Sequence, residues 1–200
     1  MGDFCAIADV SDFLQIEISD ADKVASCQRA ITEATAAIRN YCRQYIELVE
    51  DDEHTFDVRP ARWNLLLPEV PVVEVSSVVE DGETLTADDD YQVDNSGQIW
   101  RVSRRWTAGI QIVVVTYTHG YETIPDDVIG VCTRAASRAY QAGLKAEDAA
   151  GVPGIASKAL GDFSVSFTGD GAEGVMGASA ARMLLLSEKD ILNRYRYVTI

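Results

Sequence analysis

The side chains able to do chemistry in this chain are few: His54 and His119, the four cysteines Cys5, Cys27, Cys42 and Cys132, the acidic run Asp88-Asp89-Asp90 with Asp94, and the string Gly169-Asp170-Gly171-Ala172-Glu173-Gly174. Each suggests a definite chemistry, and each fails a spacing test. Neither histidine lies within a nucleophile or metal pattern, and His119-Gly120 at the end of an apolar run reads as a turn. The cysteines form no C-x-x-C pair and have no histidine at zinc-ligand spacing. Cys27 and Cys42 fall fifteen residues apart on one predicted helix, where the rise per residue holds them about 22 Å from each other. All four read as small buried apolar residues kept reduced. The aspartates suggest calcium, but the sixth loop position is Val93 where the turn demands glycine, and no glutamate follows at the twelfth. A solvated hairpin loop is expected there. The glycine string satisfies G-x-G-x-x-G, yet a dinucleotide fold needs a further parallel strand about 30 residues on, and Asp170 and Glu173 would put negative charge into the phosphate site. A flexible connector is expected instead. No catalytic, cofactor or metal residue is assigned.

One basic and aromatic cluster remains, Arg101, Arg104 and Arg105 beside Trp100 and Trp106. Such a cluster can stack bases, balance acidic strands around it, or meet the acidic face of a neighbouring subunit. Subunit contact is the preferred reading, because the chain as a whole opposes nucleic acid. Lys and Arg total 17 against 32 Asp and Glu, a formal charge of −15 and a pI near 4.4. That balance disfavours gripping a phosphate backbone, while an acidic lumen lets a duplex slide past. The acidic Met1-Gly2-Asp3-Phe4-Cys5 start resembles no export or transit signal, and Ala6 departs from the myristoylation pattern. The runs Ile112 to Val115 and Met183 to Leu186 fall far short of the roughly 18 residues that cross a bilayer. A soluble protein made in a cytoplasm is expected.

The elements that must position these residues follow from periodicity. A short helical turn is predicted over residues 9–14, and a long helix opens at Ser19-Asp20-Ala21-Asp22, where carboxylates oppose the N-terminal dipole. Val24, Cys27, Ile31, Ala34, Ile38, Tyr41 and Tyr45 step by 3 and 4, and the acidic run Glu50 to Glu53 is expected to end that helix. From His54 to Tyr121 the chain turns to Val, Ile, Thr and Trp with alternation. Strands are predicted over 54–58, 63–67, 72–80, 91–93, 98–102 and 110–118, with turns at Asp81-Gly82 and Asn95-Ser96-Gly97. A second long helix opens at Ile124-Pro125-Asp126-Asp127 and closes at Gly143, with Val128, Cys132, Ala135, Ala139 and Ala142 on one face. A linker over 145–154 leads to the strand Leu160 to Phe167, a slack segment from Gly169 to Gly177, and a terminal helix.

The predicted class is α+β: a helical core of two long packed helices with an inserted antiparallel β module and a C-terminal strand-loop-helix arm. Residues 1–53 form the first helical part, 54–121 the β module, 122–144 the second helix, and 145–200 the linker and arm. The arm carries Met183, Leu184, Leu186, Ile191, Leu192 and Tyr195, more apolar surface than a solvated tail warrants. That surface packs back on its own domain or inserts into a partner, with Arg194, Tyr195 and Arg196 as anchors.

In order along the chain, Asp89-Asp90-Tyr91, Thr116-Tyr117-Thr118-His119-Gly120-Tyr121, Ile124-Pro125-Asp126-Asp127-Val128, Leu160-Gly161-Asp162-Phe163-Ser164-Val165 and Ile191-Leu192-Asn193-Arg194-Tyr195-Arg196 resemble the head-to-tail adaptors of long-tailed bacteriophages, in particular siphophages of actinobacterial hosts. The resemblance covers nearly the whole chain. It implies a structural virion protein without catalysis or cofactor, located in the neck and assembled in the bacterial cytoplasm. It implies a twelvefold ring of copies under the portal protein that continues the DNA channel without binding DNA specifically. The arm would dock on the portal, loose in the free subunit and ordered on binding. Other partners implied are the next neck protein, a stopper, and the capsid; no membrane is involved. Two other readings are an acidic ligand-binding or enzymatic module built on the β insert, and another neck ring such as a stopper.

Overall fold

Asp20 starts the first long helix: its carboxylate accepts the backbone N–H groups of Asp22 and Lys23 at 3.1 and 3.2 Å. The computed structural model describes residues 2–150, 157–160, 163–166 and 183–197, with the backbone alone for 145–150, 157–160 and 163–166. Helix α1 spans Ile7–Leu14 and α2 spans Ala21–Cys42. The predicted stripe on α2 holds from Cys27 through Ile31, Ala34 and Ile38, all fully buried. It stops short of Tyr45, because Arg43 takes a left-handed φ of 57° that breaks the helix. The acidic run Glu50 to Glu53 therefore does not end the helix; it begins the first strand. There the ladder to a partner strand outweighs the weak strand preference of acidic residues.

The chain divides into two compact units, each drawing on separated stretches of sequence. The first contains residues 39–125 and 193–200. Its strands are β1 (Val49–Val58), β2 (Asn64–Leu66), β3 (Val72–Glu80), β4 (Glu83–Thr84), β5 (Tyr91–Val93), β6 (Gln98–Arg101) and β7 (Gly109–His119). They form two antiparallel sheets, ordered β1-β7-β3-β4 and β2-β6-β5. The two-residue strand β4 was not predicted; it exists because Asp81 and Gly82 both take positive φ, 51° and 81°, and fold Glu83 back opposite Glu80. Alternation on β7 sends Val113, Val115, Tyr117 and His119 inward, and with Leu67, Val78 and Ile99 the first three belong to the apolar core of this unit. After His119, Gly120 adopts a φ of +90°, and a Cβ there would lie 2.2 Å from the carbonyl oxygen of Glu47, so only glycine fits.

The second unit contains residues 2–38 and 126–192. Helix α3 spans Asp126–Ala150, preceded by Pro125, and does not close at Gly143 as predicted. A single glycine costs about 1 kcal/mol, and the helix-forming residues from Leu144 to Ala150 outweigh it. The buried face runs through Val128, Val131, Cys132, Ala135, Ala136 and Tyr140, while Ala142 is exposed, contrary to expectation. The helices approach closely where small residues meet, with Thr35 Oγ1 3.5 Å from Cys132 Sγ. Instead of one strand from Leu160 to Phe167 there are two, β8 (Ser157–Leu160) and β9 (Phe163–Ser166), paired antiparallel with Leu160 opposite Phe163. Helix α4 spans Leu186–Leu192 and continues into a 3-10 turn over Asn193–Tyr195. The glycine string Gly169 to Gly174 and the segment to Gly177 lie outside the described residues.

Candidate docking surfaces

The basic and aromatic cluster separates into an inner and an outer part. Arg101 and Trp106 are buried, so they do not offer themselves to a neighbour. Arg101 Nε lies 3.1 Å from Glu80 Oε2 with both side chains almost fully covered, and the guanidinium sits 5.6 Å from the Trp106 ring centroid. Thr107 N–H donates to the other Glu80 oxygen at 2.7 Å, and Arg104 reaches Oε2 at 3.1 Å. Burial pushes the Glu80 carboxyl up, but the Thr107 and Arg101 bonds overcome it and hold the group below its ordinary value. Of the readings open to the sequence, charge balance accounts for Arg101. The outer part comprises Trp100, Arg104 and Arg105, joined by Trp63. Trp63 and Trp100 are 45% and 42% exposed, and the Arg105 guanidinium stands 5.5 Å from the Trp63 ring. Trp63 was missed; the signal available was an aromatic residue opening a predicted strand.

The residues first weighed for chemistry are absorbed by the fold. Asp94 accepts the N–H groups of Ser96 and Gln98 at 2.9 and 3.0 Å, the Ser96 hydroxyl at 2.6 Å and the Trp100 indole N–H at 3.2 Å. Those donors, led by the Ser96 hydroxyl, hold its carboxyl at about 2. Asp90 accepts from Thr86 N–H at 3.0 Å and faces Arg101. Among the described residues no group of three or more His, Cys, Asp or Glu could hold a metal ion. His119 is fully buried with Nε2 3.2 Å from Asp52, and burial lowers its pKa against the pull of that carboxylate. Two open clefts of about 350 and 250 Å³ lie in the first unit, one along Val72 to Val75 and Tyr91 to Asp94, the other beside Gln44, Pro71, Tyr121 and Tyr195; neither histidine lines them.

Within the C-terminal segment, residues 183–197 bond to the rest of the chain. In the second unit Glu188 is buried and takes two bonds from Arg138, at 2.7 and 2.6 Å, with Arg134 at 3.8 Å. The same carboxylate reaches back to the Leu185 N–H at 2.9 Å, the N3 half of a capping box for α4. Arg138 also donates to the Met183 carbonyl at 2.9 Å. In the first unit the Tyr195 carbonyl accepts from Gln44 at 2.7 Å, the Tyr41 hydroxyl donates to Asn193 at 2.7 Å, and the Tyr197 N–H caps the Cys42 carbonyl at 2.9 Å. Arg196 lies 5.7 Å from the Tyr41 ring. Of the predicted docking residues, Leu184, Leu192 and Tyr195 are buried within the chain, and Met183 and Ile191 are half-buried. Leu186 is 73% exposed, and Arg194 and Arg196 are exposed. The Glu188–Arg138 pair was also missed: its partners stand fifty positions apart with no local pattern to link them.

The described residues thus form an α+β chain whose polar clusters cap turns and tie elements together. The head completion protein family matches residues 3–133, well over half of the chain, and the chain belongs to that family, which is a family of structural phage proteins and not of enzymes. Among solved structures it is similar to a chain in the neck of an empty gene transfer agent particle computed with C6 symmetry, at a TM-score of 0.53 and 16% identity, covering 96% of this chain and 89% of that one. It is also similar to a chain in the neck of the native particle computed with C12 symmetry (TM-score 0.46, 14% identity, 97% and 89% covered) and to one in the virion of the native particle (0.47, 15%, 96% and 89%). The first of these likenesses shows a shared fold. No curated protein matches the chain.

Proposed function

We propose that this head completion protein is a head-to-tail adaptor of the virion neck: copies of it form a ring under the portal protein, extend the DNA channel and join the capsid to the tail through the next neck protein. The observation that carries the reading is membership of the head completion family across residues 3–133. The fold shared with a chain in a gene transfer agent neck supports it, and the acidic charge of −15 suits a channel that DNA traverses without being held. A twelvefold ring is the stoichiometry that the adaptor resemblance implies. Leu186, 73% exposed, is the apolar residue of the C-terminal segment that we assign to the portal. Trp63, Trp100, Arg104 and Arg105 form the face offered to the neighbouring copy, since Trp and Arg dominate interface energetics.

The test is electron microscopy of the purified chain mixed with the portal ring of its own phage, comparing the unaltered protein with Leu186→Asp. The point variant is preferable to truncation after Gly177, which would also strip Arg138 of Glu188 and perturb the fold. An added ring layer with the unaltered protein and bare portals with the variant are expected. A layer with both proteins would remove the portal role from Leu186, and bare portals with both would move the chain to another neck position, such as the stopper.

A further inference from the structure

Cys5 and Cys132 lie far apart in sequence and meet in the second unit, their sulfurs 3.3 Å apart and both side chains buried. One hydroxyl links the surroundings of both. The Phe4 N–H, one residue before Cys5, donates to Thr35 Oγ1 at 3.1 Å, and that same hydroxyl stands 3.5 Å from Cys132 Sγ. On the other side of Cys5, the Ala6 N–H is held by Asp9 at 2.7 Å at the start of α1. A disulfide requires the sulfurs to close by only about 1.3 Å more, to a bond of about 2.0 Å. Cys27 and Cys42 have no such relation to each other, being fixed on the single helix α2.

We infer that Cys5 and Cys132 are a modification site, a dithiol placed to close into an intramolecular disulfide when it meets a small-molecule disulfide such as oxidised glutathione. Local opening of the segment just ahead of α1 uncovers the Cys5 thiol. The Cys5 thiolate, its proton released to solvent, attacks one sulfur of the oxidant, forming a mixed disulfide and expelling one glutathione thiolate. As the segment reseats, the Cys132 thiolate attacks the Cys5 sulfur, forming the internal bond and expelling the second glutathione. Two protein thiols are oxidised, one small disulfide is reduced to two thiols, and the two protons lost by the cysteines are taken up by the two leaving groups. In the second step Cys5 has no proton left to donate, and the Thr35 hydroxyl, 3.5 Å from Cys132 Sγ, is the donor that remains beside the attacking sulfur. The bond would tie the N-terminal segment to α3 and would close a loop containing the entire first-unit β structure, which restricts the unfolded chain strongly. The inference rests on the second unit alone and does not depend on the neck reading.

The experiment incubates the full-length protein with oxidised glutathione, alkylates the remaining thiols after denaturation, and locates them by peptide mass spectrometry. The expected result is a crosslinked peptide pair containing Cys5 and Cys132, alkylated Cys27 and Cys42, and a thermal midpoint raised by about 5–10 °C that dithiothreitol reverses. Cys5→Ser should lose both the crosslink and the shift, and Cys27→Ser should keep both. Four alkylated cysteines, or glutathione left unresolved on Cys5, would overturn the inference on the unaltered protein, whatever the variants do.

Discussion

Burial of His119 follows from strand register: it continues the inward row of Val113, Val115 and Tyr117, and its Nδ1 finds no partner among the described residues. A histidine placed this way is a stability device with a definite sign. Burial lowers the pKa of His119 below 6.5, with Asp52 opposing, and burial lowers His54 as well. Between the lowered folded value and the unfolded one, the unfolded chain binds more protons, so stability is complete above about pH 7 and is lost as pH falls through that window. Glu69, raised by burial, acts with the opposite sign closer to 4.5, and Asp94 enters only below 3.8. The thermal midpoint should therefore fall between about pH 7.5 and 5.5, and His119→Gln should flatten that slope. An unchanged slope in the variant would assign the loss to other groups. The sequence allowed His119 to be set aside as a catalyst but not to be placed in the interior, because a polar residue at a strand end breaks the apolar alternation that marks a buried row. Likewise the aspartate run was legible as a loop, while the four bonds of Asp94 exist only once the β5–β6 hairpin has closed.

Helices and strands were legible wherever one periodicity ran uninterrupted, as in α2 from Cys27 to Ile38 and in β3, whose predicted bounds match. Misreadings fall where local preference was outweighed. Acidic residues were drawn into β1 by pairing with β7, α3 carried through Gly143 on the residues that follow it, and the β8–β9 pair divided what looked like a single strand. The tie between α3 and α4 was invisible because it is one long-range ion pair. Glu188 is covered, and Arg138 is its bidentate partner, so removing the charge leaves the guanidinium without its anion. Glu188→Gln should destabilise the protein by about 2–3 kcal/mol in urea unfolding and speed amide exchange in α4 more than in α2. Equal exchange rates in α4 before and after the substitution would show that Leu184 and Leu192 hold the helix without the pair.

At the scale of the whole molecule, charge separates surrounding DNA from gripping it. With 17 basic and 32 acidic residues, the chain should leave duplex DNA unshifted in a gel at about 150 mM salt and weaken no further as salt is raised, since there are few counterions to release. Retention of DNA that falls steeply with salt would point to a concentrated basic face around Arg104 and Arg105. The division into units has a further consequence, for the timing of synthesis. The first unit takes Asn193 to Tyr197, including the N–H that caps Cys42, and the second takes Glu188. A nascent chain on the ribosome can therefore wind α2 and pair its strands early, but it finishes neither unit until residues 186–197 have emerged. Copies whose synthesis is aborted before that point lack the Tyr197 N–H at the Cys42 carbonyl and the Glu188 carboxylate at Arg138.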